Sequence, residues 1–187
     1  YGAKVNVPET KNLNDDTIKS MKKRLVWSVI FLIPLMYIAM YHMLPVPQFL
    51  KELFHGTENA ITFGVTQLLL LLPIVYLNKN YFIVGFKRLL KGSPNMDSLI
   101  AIGSSAAIVY GIYAIYMIGY GLGNNDLELV KSYSRDLYFE SAGMILTLIT
   151  FGKYLETRAK EKTTNAINKL LDLTPKKVLI LKGEEEE

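Results

Sequence analysis

LYFESAGMILTLITFGKYLE, residues 137–156, is the stretch that decides the fold. Up to Gly152 it holds one formal charge, Glu140, and then Lys153 and Glu156 mark where the apolar run ends. A helix of roughly 20 apolar residues crosses a bilayer. Three other stretches have the same character, residues 25–44, 60–78 and 98–120, and none of them contains Asp, Glu, Lys or Arg. A soluble domain spreads its apolar residues with period 2 or 3.6, whereas here they are gathered into span-length blocks. Only helices and closed barrels satisfy the backbone in lipid. The expected fold is therefore all-α, a membrane protein with four transmembrane helices at about 25–44, 60–78, 98–120 and 137–156. The first block starts near residue 25, is long and is followed by three more, which argues against a cleaved signal peptide.

Composition narrows the function classes. The 187 residues are 50% hydrophobic and include no cysteine, so no disulfide framework and no thiolate metal site exists within the chain. The formal net charge is +4. The excess is not gathered for nucleic acid. Six of the 21 Lys and Arg precede the first span, four lie between the second and third, and eight lie at or after Lys153. The remaining three are Lys51, Lys131 and Arg135. Basic residues accumulate on cytoplasmic loops, which places both termini in the cytoplasm of an integral protein of the cell membrane, with membrane lipid as its surroundings.

Residues 1–20 are polar and read as a cytosolic linker, and Met21-Lys-Lys-Arg24 as an interfacial anchor. Residues 21–172 form the membrane region. Pro34 and Pro73 weaken the first and second spans, and residues 48–59 read as a short outer loop. Residues 80–91 mix apolar and basic residues at helical spacing, which suits an amphipathic helix in the inner interface; a plain basic loop is the other reading. Gly92-Ser-Pro-Asn95 is a turn by residue type. The third span is rich in Gly, Ala and Ser, which let helices approach closely. The fourth helix continues its pattern past the membrane to Leu171, and Thr174-Pro175 breaks it. Residues 178–181 read as one strand. A lone strand is not a finished domain, so residues 173–187 read as the start of a β-rich cytosolic domain.

Topology sorts the candidate ion-handling residues into two pairs. Met40 and Glu140 fall near the outer ends of their spans, Met96 and Glu156 near the inner ends. Glu140 and Glu156 lie about 24 Å apart along a helix. A thioether suits a soft cation such as Cu(I), while a carboxylate prefers harder ions. A Met beside a Glu therefore makes a site that receives a soft cation and releases it. Blander readings stand beside this one. A carboxylate in a span costs about 3 kcal/mol, yet Glu140 could cap its helix at the headgroups. Either Met could be packing, Glu156 could be a solvated ion pair with Lys153 or Arg158, and Asp97 a charge favoured at a helix N-terminus. There is no Gly-x-x-x-x-Gly-Lys-Ser/Thr loop, and no catalytic triad can be assembled.

Several motifs in order resemble copper-transporting P-type ATPases, the Cu+ subgroup of the heavy-metal P-type pumps. They are Ile33-Pro-Leu-Met-Tyr-Ile-Ala-Met40, Gly85-Phe-Lys-Arg-Leu-Leu90, Pro94-Asn-Met-Asp-Ser-Leu-Ile-Ala-Ile-Gly103, Tyr138-Phe-Glu-Ser-Ala142, Phe151-Gly-Lys-Tyr-Leu-Glu156 and Lys160-Glu-Lys-Thr163. They cover about residues 20–182. Tyr1-Gly-Ala-Lys-Val5 resembles the tail of the small metal-binding domain that often precedes this membrane part. The resemblance implies the membrane portion of a pump exporting Cu+ from the cytoplasm. Met96 and Glu156 match the family's cytosolic uptake residues, and Met40 and Glu140 its release-side residues. Lys87, Arg88 and Lys91 match a platform where a cytosolic copper donor or metal-binding domain docks. Many members carry a double glycine at the platform kink; Leu77-Asn78 stands near that place here. The family's Asp-Lys-Thr-Gly-Thr, Thr-Gly-Glu and Cys-Pro-Cys motifs do not occur. ATP and Mg2+ then belong to the complete protein and its remaining domains, and the strand at 178–181 to its actuator domain. Two other readings compete: a stand-alone four-helix membrane adaptor, and a P-type pump for another heavy metal such as zinc.

Overall fold

Asparagine and aspartate mark the places where this apolar chain changes direction. In the computed structural model, Asn59, Asn78, Asn95, Asn124, Asp126 and Asp136 each flank a helix end. Short polar side chains bond nearby backbone groups and so favour caps over helix interiors. The structure describes residues 8–41, 43 and 47–172, and the backbone alone for 8–15, 49, 50 and 165–172. The helices along these residues are α1 Pro8–Ala39, α2 Gln48–Phe54, α3 Ala60–Leu77, α4 Lys79–Leu90, α5 Met96–Gly123, α6 Leu127–Arg135 and α7 Phe139–Asp172. Among the described residues there is no strand; the strand expected at 178–181 lies outside them.

Four long helices form the body. α7 packs against α1, α3 and α5, and α3 also packs against α1. Leu32 and Leu35 of α1, Leu71 and Ile74 of α3, and Ala142 and Leu146 of α7 are buried in one cluster. The outward faces are apolar too, with Ile33, Leu69, Leu99, Val109 and Tyr116 exposed. Apolar surface of this extent suits acyl chains rather than water. α3 and α5 are long and apolar enough to cross a membrane. α1 and α7 carry apolar stretches bounded by charge, Lys22, Lys23 and Arg24 in α1 and Glu140, Lys153 and Glu156 in α7.

The short elements depart from expectation. α1 begins at Pro8, so residues 8–20, read as part of a linker, are helical. Residues 48–59, expected as a loop, contain α2. Phe54 at its end is buried against Tyr41 and Phe63, and the Tyr41 hydroxyl donates to the Phe54 carbonyl at 3.2 Å. α6 was not anticipated. Asp126 caps it, accepting from the Leu129 amide at 3.1 Å, and Val130 is buried on α5. Two turns of helix are too short for periodicity to announce.

At the end of the bundle where α3 passes into α4 the helices meet on one amide. Asn78, the residue between α3 and α4, is fully buried. Its Nδ2 donates to Ser28 Oγ of α1 and to the Ile74 carbonyl of α3, both at 2.9 Å. Its Oδ1 accepts from Arg24 Nη2 of α1 at 3.2 Å and from Thr150 Oγ1 of α7 at 2.7 Å. Tyr81 of α4 places its hydroxyl 3.1 Å from Thr150 Oγ1. The Tyr81 ring faces two cations, Arg24 Cζ at 5.7 Å and Lys153 Nζ at 4.6 Å. Both polar ends of Asn78 are thus occupied, as burial of an amide requires.

α4 is clamped to α5 by a second contact. Asn95 and Ser98 form a reciprocal capping box at the start of α5, and Ser98 Oγ donates to the Gly85 carbonyl at 2.8 Å. A Cβ on Gly85 would lie 2.3 Å from the Asp97 carbonyl oxygen, so only glycine allows this approach. Gly103 of α5, by contrast, faces open space. Gly85→Ala is expected to destabilise the protein by about 1–3 kcal/mol through overpacking, and Gly103→Ala to be neutral or stabilising by up to about 1 kcal/mol. Thermal unfolding of the two variants in detergent checks this, and equal melting temperatures would refute the close packing of α4 on α5.

Candidate functional site

Met40 stands just past the end of α1, where its amide donates to the Met36 carbonyl at 3.0 Å. Glu140 lies in the first turn of α7, where the helix dipole favours a negative charge. These two residues, a hundred positions apart, line one cavity of about 180 Å³. Gln67 of α3, Arg135 at the end of α6, and the apolar Phe63 and Leu137 share its wall. Glu140 is half-buried and accepts a hydrogen bond from Ser141 Oγ at 3.2 Å. Among the described residues, neither Glu140 nor Arg135 is in an ion pair. With Ser134, the wall thus offers one soft sulfur, one carboxylate, one amide, one guanidinium and one hydroxyl.

The inner pair is arranged differently. Met96 opens α5 and is 56% exposed. Glu156 is on the exposed face of α7 and accepts from Lys160 Nζ at 2.5 Å. Next to Met96 at the start of α5, Asp97 forms a partly buried salt bridge with Lys153 of α7. The ion-pair reading of Glu156 therefore describes the structure, with Lys160 as its partner in place of Lys153 or Arg158. Lys87, Arg88 and Lys91 are all exposed at the C-terminal end of α4, while Tyr81 and Gly85 face inward. No group of three or more His, Cys, Asp or Glu able to hold a metal ion occurs among the described residues.

Known proteins give the chain its relatives. It is 33% identical over 176 residues to a copper-exporting P-type ATPase of Staphylococcus epidermidis, covering 94% of this chain and 20% of that protein. It is 36% identical over 171 residues to a probable copper-importing P-type ATPase of Enterococcus hirae, covering 91% and 21%. A probable copper-transporting ATPase of Arabidopsis thaliana is 33% identical over 171 residues, covering 90% and 16%. The chain is a relative of the copper-transporting P-type ATPases. It spans about a fifth of the length of the curated relatives it matches. No protein-family model matches it, and no solved structure does.

In this relative of the copper-transporting P-type ATPases, formal charge alone does not point to the neutral amides. Gln67 was visible in the sequence as an amide among the apolar residues of the second span. Asn78 was visible only as a change of pattern, and its four partners come from segments up to 72 positions away. Asp97 was read as a helix-end charge, which it is, but its partner Lys153 is 56 positions distant.

The Asp97–Lys153 bridge yields a stability test. A double-mutant cycle with Asp97→Asn and Lys153→Met, followed by thermal unfolding in detergent, is expected to give a favourable coupling of about 1 kcal/mol. Additive effects of the two substitutions would remove the bridge as a tie between α5 and α7.

Proposed function

We propose that this chain is the membrane part of an ATP-driven Cu+ transporter, a P-type ATPase that exports copper from the cytoplasm. The observation that carries the reading is that Met40 and Glu140 line one cavity, in a chain similar over at least 90% of its length to copper-transporting ATPases. In this reading α1, α3, α5 and α7 all cross the bilayer of the cell membrane. Both termini lie in the cytoplasm, where most of the Lys and Arg gather. The cavity is then the release end and the start of α5 the uptake end.

The chemistry of the cavity suits passage rather than storage. Met40 supplies a polarizable sulfur that favours a soft monovalent ion over Zn2+. The carboxylate of Glu140 attracts a cation, and Arg135 on the same wall offsets that attraction. A cation held mainly by one thioether leaves readily. At the uptake end, Met96 is exposed and Glu156 is engaged with Lys160, so an arriving cation displaces an ammonium group rather than entering an empty site. The exposed Lys87, Arg88 and Lys91 present positive charge to an acidic surface on a cytosolic copper donor or metal-binding domain. ATP and Mg2+ find no phosphate-binding loop or phosphorylation motif in this sequence, and their chemistry belongs to the remaining pump domains.

Two experiments test the reading. In the complete pump, Met40→Ala and Glu140→Ala are each expected to lower Cu+ transport into inside-out vesicles about tenfold or more, the order of one lost buried polar partner, with folding retained. Wild-type rates in both would sink the site assignment, and Zn2+ transport in place of Cu+ would move the protein to another metal. An immunoblot of the native product, with an antibody to the outer-loop peptide, is expected to show a band several-fold heavier than 21.2 kDa. A band at 21.2 kDa would replace transport with a stand-alone adaptor role.

A further inference from the structure

Gln67 is the polar group that the charge pattern does not account for. It lies in α3, a helix apolar enough to cross a membrane, and it is 1% exposed. Its Oε1 is buried and has no hydrogen-bond partner among the described residues. Burying an amide oxygen without a partner is costly, and each such group in a native structure calls for an explanation. Arg24 Nε, Ser104 Oγ and Thr147 Oγ1 are also buried without a partner among the described residues. Gln67 differs from them in position, because it lines the cavity that contains Met40 and Glu140.

We propose that Gln67 Oε1 is a third, neutral ligand of the release cavity, contacting the monovalent cation as it passes between Met40 and Glu140. The inference rests on the transport reading of that cavity. A carbonyl oxygen is a harder donor than a thioether and carries no net charge. It replaces part of the lost hydration of a cation leaving sulfur, without adding a second carboxylate that would hold the ion. With Arg135 offsetting Glu140, the uncharged oxygen of Gln67 lets the ion move from a soft ligand towards water in steps.

The test uses the complete pump in inside-out vesicles, with radioactive Cu+ as the probe. Gln67→Leu keeps the side chain's bulk and removes the oxygen. It is expected to melt at the wild-type temperature and to transport Cu+ about tenfold more slowly, the order of one lost buried polar partner. Gln67→Glu adds a charge at the same point and is expected to retain more Cu+ after washing while turning over more slowly. A folded Gln67→Leu pump with wild-type transport, beside an impaired Glu140→Gln pump, would overturn the role of Gln67 and leave the cavity reading intact. Wild-type transport in both would overturn the cavity reading itself. If Gln67→Leu gives no folded protein, Gln67→Glu decides: raised Cu+ retention supports the ligand role, and unchanged retention overturns it.

Discussion

The side-chain amide of Asn78 is the constraint on which one end of this bundle depends. Four groups from α1, α3 and α7 converge on it, and the chain on either side of it belongs to α3 and α4. In a low-dielectric interior such a group is valuable only when all its partners are present, since each hydrogen bond is strong and each vacancy costly. The network therefore fixes the relative depth of the helices to within a hydrogen bond's length. Apolar packing alone does not do this in lipid, where sliding one apolar helix along another exchanges protein contacts for equivalent lipid contacts.

The same amide explains how α4 leaves α3 without a glycine pair at the joint. Asn78 has ordinary backbone angles, φ −106° and ψ 15°, so the turn needs no left-handed residue. The side chain bonds the last turn of α3 through the Ile74 carbonyl. Tyr81, one turn into α4, is held by Thr150 and by the two cations over its ring. Gly85 then lets α4 lie against the start of α5. The basic residues at the end of α4 are left facing outward because Tyr81 and Gly85 commit the opposite face. The surface proposed to meet a copper donor is thus a consequence of packing on the other side of the same helix.

The opposite end is built with less polar anchoring and more open space. Phe54, Tyr41 and Phe63 close an aromatic cluster on one side, and α6 covers α5 on the other. Between them remains the cavity with Met40, Gln67, Arg135 and Glu140. A tight polar network at one end and a polar-lined void at the other give the two ends different capacities. One is tied by hydrogen bonds, and the other leaves a polar-lined space.

The sequence by itself determined the helical class and the apolar stretches that the long helices carry, because span length and charge placement are local properties of the chain. It also carried the family resemblance, through short motifs in order. It did not reveal α2 or α6, whose two turns give too little periodicity, nor that residues 8–20 are helical. It did not show that Asp97 bonds Lys153 or that Glu156 bonds Lys160. Which helices touch, which amide is the hub and which polar atoms among the described residues are buried without a partner were decided only by the tertiary structure. These depend on the azimuth of each helix, and azimuth in an apolar bundle is set by a few small residues and buried polar partners far apart in sequence, not by the apolar pattern itself.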